Sequence, residues 1–98
     1  MGTDIGMAIH EGYVGIIWDR AGMATKRGNQ RFAGVIDSGY RGPIKVCLWN
    51  STQEHCIINK GDRIAQILFQ AVPDFPIIEV QNLDTTSRGS HGFGSTGV

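Results

Sequence analysis

The stretch from Ala33 to Gly42, Ala-Gly-Val-Ile-Asp-Ser-Gly-Tyr-Arg-Gly, sets a carboxylate (Asp37) and an aromatic ring (Tyr40) on either side of a Ser38-Gly39 turn. The strand-like run Ile44-Lys45-Val46-Cys47-Leu48-Trp49 follows, so the whole reads as a β-hairpin with polar chemistry at its tip. An ordinary turn bearing a solvated aspartate fits the same residues. Two other stretches supply cations. Asp19-Arg20-Ala21-Gly22 is a glycine-containing loop that leads into a helical turn, a geometry able to aim backbone N–H groups and a guanidinium at phosphate oxygens. From Asp84 onward, Asp-Thr-Thr-Ser-Arg-Gly-Ser-His-Gly-Phe-Gly-Ser-Thr-Gly-Val is dominated by Gly, Ser and Thr and reads as a flexible tail. It also carries Arg88 and Phe93, with which a mobile arm can meet phosphate and stack on a base while its glycines let the backbone come close. No Lys follows those glycines, which excludes a Walker loop.

The elements that must hold these residues are short and β-rich. Tyr13 to Trp18 and Ile5 to Ile9 are two β-rich runs joined by a His10-Glu11-Gly12 turn, and Met23 to Lys26 has room for at most one helical turn before Gly28-Asn29. After the hairpin, Asn50 to Glu54 is a polar turn, Cys56 to Ile58 a short strand, and Lys60-Gly61-Asp62-Arg63 a turn into Ile64 to Phe69. Alternation there puts Ile64, Gln66 and Leu68 on one face, so Gln66 interrupts an apolar surface and must either bond neighbouring backbone or point into a site. Phe75 to Val80 reads as a last strand, and Pro73 and Pro76 place its start at a sheet edge.

Composition bounds the function. At 98 residues the chain is one domain near the small end of the range, where assembly helps to bury surface. Lys plus Arg equals Asp plus Glu, nine each, so no net field favours nucleic acid or an anionic membrane. No apolar run approaches the roughly 20 residues of a membrane span, and no secretion-type start is present, so a soluble cytoplasmic protein is the expectation. The spacing of Cys47 and Cys56 matches no zinc motif.

In their order along the chain these pieces resemble the trimeric, all-β deoxyuridine triphosphatases (dUTPases). Asp19 to Ala24 is similar to the family's second motif, Gly34 to Gly42 to the third, Gly61-Asp-Arg-Ile-Ala-Gln66 to the fourth, and Arg88 to Gly97 to the fifth. The resemblance implies an all-β fold, a distorted jelly-roll or β-clip-like barrel, N-terminally shortened. A β domain over residues 1–86 would be followed by a Gly-rich arm over 87–98. It implies hydrolysis of dUTP to dUMP and pyrophosphate, which limits uracil in DNA and supplies dUMP for dTMP synthesis. Asp37 would be the general base for the water that attacks the α-phosphorus. Tyr40 would exclude a ribose 2′-hydroxyl, and Gly34, Val35 and Ile36, with Lys45 across the hairpin, would read the uracil edge. Arg20, Ala21, Gly22 and Gln66 would hold phosphates. The arm of a neighbouring subunit would bring Arg88 to the γ-phosphate, Phe93 over the base, and Gly94, Ser95 and Thr96 to close the site. Magnesium would ride on phosphate oxygens and water with no direct protein ligand, and the assembly would be a homotrimer.

Three departures shape the expectation. Only 19 residues precede Arg20, so the family's first motif, typically Ala-Gly-Tyr-Asp-Leu, and the strands around it have no counterpart here, and Asp4 is incidental. Ala21 stands where the family usually has a phosphate-bonding Ser, and Asn29 replaces a commonly apolar residue. A truncated or decayed module that binds nucleotide or a partner protein with little catalysis is therefore the second reading. The related dCTP deaminases share the fold, but their catalytic Glu corresponds to Cys47 in this chain, which puts deamination last.

Overall fold

The computed structural model describes residues 1–95 and Gly97. Its elements are β1 (Tyr13–Asp19), α1 (Ala21–Lys26), β2 (Asn29–Phe32), β3 (Val35–Ile36), β4 (Cys47–Asn50) and β5 (Ala65–Ala71). They form two antiparallel sheets: three strands in the order β3-β1-β5, and the pair β2-β4. Among the described residues the architecture is all-β with a single short helix, as expected of a jelly-roll relative.

Central β1 owes its place to its two faces. Gly15 and Ile17 point inward and are buried, whereas Trp18 faces solvent. Ile17 joins Ile44 and Val46 in the core, with Met7, Ile36, Leu48, Ile64, Ala65 and Ile67 packed around them. β5 runs the whole length of β1, from Tyr13 opposite Ala71 to Asp19 opposite Ala65. The turn into β1 closes with the Tyr13 N–H donating to the His10 carbonyl at 3.0 Å. Helix α1 is one and a half turns, enough to bury Met23.

The hairpin departs from expectation. Its turn is present, with the Tyr40 N–H donating to the Asp37 carbonyl at 3.1 Å, but its arms do not pair with each other. β3 pairs with β1 (Ile16 opposite Val35, Gly15 opposite Ile36), and β4 pairs with β2 (Phe32 opposite Cys47). Lys45, expected across a ladder, instead bridges Gly2. Splaying follows from packing: Ile44 and Val46 turn into the core, where each is 4% exposed, and the backbone beside them bonds to the first residues, with the Ile44 N–H donating to the Ile5 carbonyl at 2.8 Å. β3 is thus the edge of its sheet, and its outward backbone groups have no strand partner.

Three more expected strands are absent among the described residues. Ile5 to Ile9 is irregular, tied to the chain beyond Pro43 by backbone bonds at Thr3 and Ile5 and anchored by the buried Ile9. Cys56 to Ile58 forms no ladder; the Arg27 guanidinium bonds the Ile57 carbonyl instead. Phe75 to Val80 has suitable residues but pairs with no strand of this chain, and Ile77 is 99% exposed. Every described residue from Gln70 to His91 is exposed, and the radius of gyration is 18.8 Å against about 13 Å for a compact chain of this length.

Candidate functional site

Between the splayed arms lies a cavity of about 330 Å³ lined by Val35, Ile36, Asp37, Tyr40, Pro43 and Lys45. Asp37 follows β3 directly and is exposed, and among the described residues its carboxylate accepts no hydrogen bond. Tyr40 is fixed: its hydroxyl donates to the Pro43 carbonyl at 2.8 Å, and a Cβ added at Gly42 would meet that hydroxyl oxygen at 2.5 Å. Glycine at 42 is what lets the ring lie back against its own turn. The Arg41 guanidinium braces the tip by donating to the Ser38 carbonyl at 2.7 Å.

Gly34 starts this wall. Its φ is +138°, and a Cβ there would sit 2.9 Å from Cβ of Ile17. The Ile17 N–H donates to the Gly34 carbonyl at 2.8 Å, so the entry to β3 is drawn tight against β1 and only glycine fits. Ala33 just before it also takes a left-handed conformation, with φ 59°.

At the far end of β1 is a larger cavity, about 560 Å³, whose apolar floor includes Ile17, Ile44 and Ile67 and whose rim carries Arg20, Lys60, Arg63 and Gln66. Arg20 is the N-cap of α1, with extended backbone (φ −91°, ψ 139°) and no side-chain cap. Ala21 and Gly22 open the helix and are exposed, and the Thr25 hydroxyl donates to the Ala21 carbonyl at 2.7 Å. Gln66, the polar interruption of an apolar strand, resolves as backbone satisfaction beside a site: its Nε2 donates to the Asp19 carbonyl at 2.9 Å while the residue lines the cavity.

The structure therefore brings the expected residues together in two groups. Gly34, Val35, Ile36, Asp37, Tyr40 and Lys45 gather at the hairpin; Arg20, Ala21, Gly22 and Gln66 gather at the loop after β1. The two cavities share no lining residue. Ile36 faces Gly15, and from there to Arg20 strand geometry gives about 17 Å.

The arm residues join neither group. Arg88 donates from Nε to the His91 carbonyl at 2.6 Å, and Phe93 is fully exposed with φ 53°. Gly94 and Ser95 sit in successive turns, the Ser95 N–H donating to the Gly92 carbonyl at 3.1 Å; Thr96 lies outside the described residues. Two residues near the site, Asp19 and Arg31, were given no role of their own by the sequence. Asp19 Oδ1 accepts the Arg31 main-chain N–H at 2.7 Å, and the Arg31 guanidinium lies over the Trp18 ring at 4.7 Å. Those contacts join residues far apart in sequence, and no local pattern marks them.

Comparisons with known proteins show what the chain is similar to. The family model described as dUTPase matches residues 1–97. A deoxyuridine 5'-triphosphate nucleotidohydrolase of Debaryomyces hansenii is 46% identical over 99 residues, covering 99% of this chain and 62% of the relative. One from Paramecium bursaria Chlorella virus 1 is 45% identical over 96 residues, covering 98% of this chain and 68% of the relative. This chain thus spans about two thirds of the length of these curated relatives. Among solved structures, the dUTPase of Staphylococcus bacteriophage 80alpha with dUpNHpp superposes with a TM-score of 0.86 at 27% identity, over 99% of this chain and 74% of that chain.

Proposed function

The chain belongs to the dUTPase family, and from that premise we propose that it is a dUTP diphosphatase, hydrolysing dUTP to dUMP and pyrophosphate at sites shared between copies. The observation that carries the proposal is the splayed hairpin. It presents an unpaired β3 edge, a fixed aromatic wall and a free carboxylate around one small cavity.

On the open β3 edge the outward N–H and C=O of Val35, beside Ile36 and with Lys45 opposite, suit the donors and acceptors of a uracil edge. The Tyr40 ring, held in place before any ligand arrives, leaves no slack for a ribose 2′-hydroxyl. Asp37, next along the wall, is the general base that takes a proton from the water attacking the α-phosphorus; the new P–O bond forms as the bond to the pyrophosphate oxygen breaks. Charge on the departing pyrophosphate falls to Arg20, to backbone at Ala21 and Gly22, and to Gln66. Magnesium, implied by the family resemblance, would neutralise phosphate charge here. On this reading phosphate oxygens and water would hold the ion.

Within one copy the hairpin and the Arg20 loop sit apart: from Gly15, opposite Ile36, to Arg20 is about 17 Å along β1, and Asp37 lies a residue beyond Ile36, whereas a triphosphate is shorter. Two copies would close that gap, with the hairpin of one facing the Arg20 loop of the next. Surface area supports the same reading: 8491 Å² is exposed, about 3,000 Å² more than a compact monomer of this mass presents. A standard interface buries about 800 Å² per partner, so the surplus accommodates two neighbours for each copy, as a homotrimer requires. The arm bearing Arg88, Phe93, Gly94, Ser95 and Thr96 would close a neighbour's site.

Ala21 favours a second reading, a nucleotide-binding module with little turnover. It offers a methyl group where a hydroxyl would bond phosphate, and the nearby Thr25 hydroxyl is already committed. Pyrophosphate release from dUTP with magnesium, set beside an Asp37→Asn variant, decides. Release by the parent and none by the variant supports the enzyme; tight dUTP binding with both proteins inert supports the module.

A further inference from the structure

Asp19, the last residue of β1, bonds with both its ends. Its carboxylate accepts the Arg31 N–H of β2 at 2.7 Å, and its carbonyl accepts Nε2 of Gln66 in β5 at 2.9 Å. β2 belongs to the other sheet, so the carboxylate is a clamp between sheets at the point where the chain turns into Arg20. The residue is half-buried, and an N–H bonded to a charged oxygen gives one of the stronger bonds available to a protein.

Arg20 has no side-chain cap of its own. Its backbone direction is set from one side by the Ala24 N–H on its carbonyl, at 3.0 Å, and from the other by whatever fixes Asp19. Gln66 spends one amide hydrogen on Asp19, which turns its Oε1 and second hydrogen towards the cavity that Arg20 also lines.

We propose that Asp19 is a positioning residue for the phosphate half of the site: its carboxylate ties β2 to the strand end that aims Arg20. The proposal rests on the dUTP reading above. Without the carboxylate, the Arg31 N–H loses its acceptor and the turn into Arg20 loses its tie to the second sheet, while the Gln66 bond to the Asp19 carbonyl and the pairing of Asp19 with Ala65 remain. None of the residues that line the hairpin cavity bonds Asp19 or Arg31, so recognition of the nucleoside stays intact.

The test uses the full chain with Asp19→Ala and Asp19→Asn, the latter keeping an oxygen acceptor for the Arg31 N–H. In a ¹⁵N-labelled sample, Asp19→Ala moves the main-chain amides of Arg31, whose acceptor is gone, and of Ala24, which bonds the Arg20 carbonyl, and Asp19→Asn holds both near the parent values. In kinetics, Asp19→Ala raises KM for dUTP about tenfold, the worth of one good hydrogen bond. Inhibition by deoxyuridine, which lacks phosphate, is unchanged, and Asp19→Asn recovers most of the loss. An unmoved Ala24 amide overturns the proposal, as does an equal loss of dUTP and deoxyuridine binding, or an Asn variant that behaves as Ala does. A parent chain that neither binds nor turns over dUTP overturns the functional reading and with it the phosphate role. The Ala24 amide tells that failure apart, because it reports on the setting of Arg20 without substrate.

Discussion

The hairpin and the segment after Ala71 carry comparable densities of chemistry, yet the fold treats them oppositely. The hairpin is fixed by its own chain: Gly34 pressed on Ile17, Tyr40 bonded to Pro43, Arg41 to Ser38. The described hydrogen bonds of Arg88, Gly89, His91 and Ser95 stay within the arm, and its rings meet solvent. Selectivity can be built from a fixed wall, since rejection needs rigidity, whereas closure over a triphosphate needs a part that moves.

The largest expected effect lies on the fixed side. Asp37→Asn keeps size and position but cannot take the proton, and turnover falls roughly a thousandfold with KM and melting temperature unchanged; retained turnover in a pyrophosphate-release assay would break the assignment of a base to the hairpin. Ending the chain after Thr86 tests the mobile side. Turnover drops by about a hundredfold, the scale of losing a set of transition-state contacts, with the circular dichroism spectrum and melting curve as in the parent; collapse of the folded signal would refute the division between wall and arm. Gly34→Ala forces a Cβ to 2.9 Å from Ile17 at φ 138°, and denaturant titration should show a loss of about 2–3 kcal/mol, combining strain and overpacking. Smallest is a gain: Ala21→Ser returns a hydroxyl at an exposed position and raises kcat/KM for dUTP by up to about tenfold, one hydrogen bond to a charged oxygen. No change would mean that the Arg20 loop does not touch phosphate.

Legibility in the sequence followed the range of the interaction. β1, β5 and the single helical turn were readable because alternation and a glycine break are local signals, and so was the turn at Ser38-Gly39. Which edge a strand joins is not local. Val35–Ile36 and Cys47–Asn50 look like two arms of a ribbon until Ile44 and Val46 are seen to be claimed by the core and β1 to be the better partner. Phe75 to Val80 has strand residues yet pairs with no edge of its own chain, which no pattern within it could reveal. At the site, Asp37, Tyr40 and Gln66 stood out by type and position. Asp19 did not, because its partners lie 12 and 47 residues away.

With Phe75, Ile77, Ile78 and Leu83 all at least three-quarters in water, the lone chain is a poor solute. If sister copies cover these side chains, dilution becomes an antagonist: specific activity measured at falling enzyme concentration declines before any residue is altered. The cell's expression level then acts as a hidden component of catalytic output.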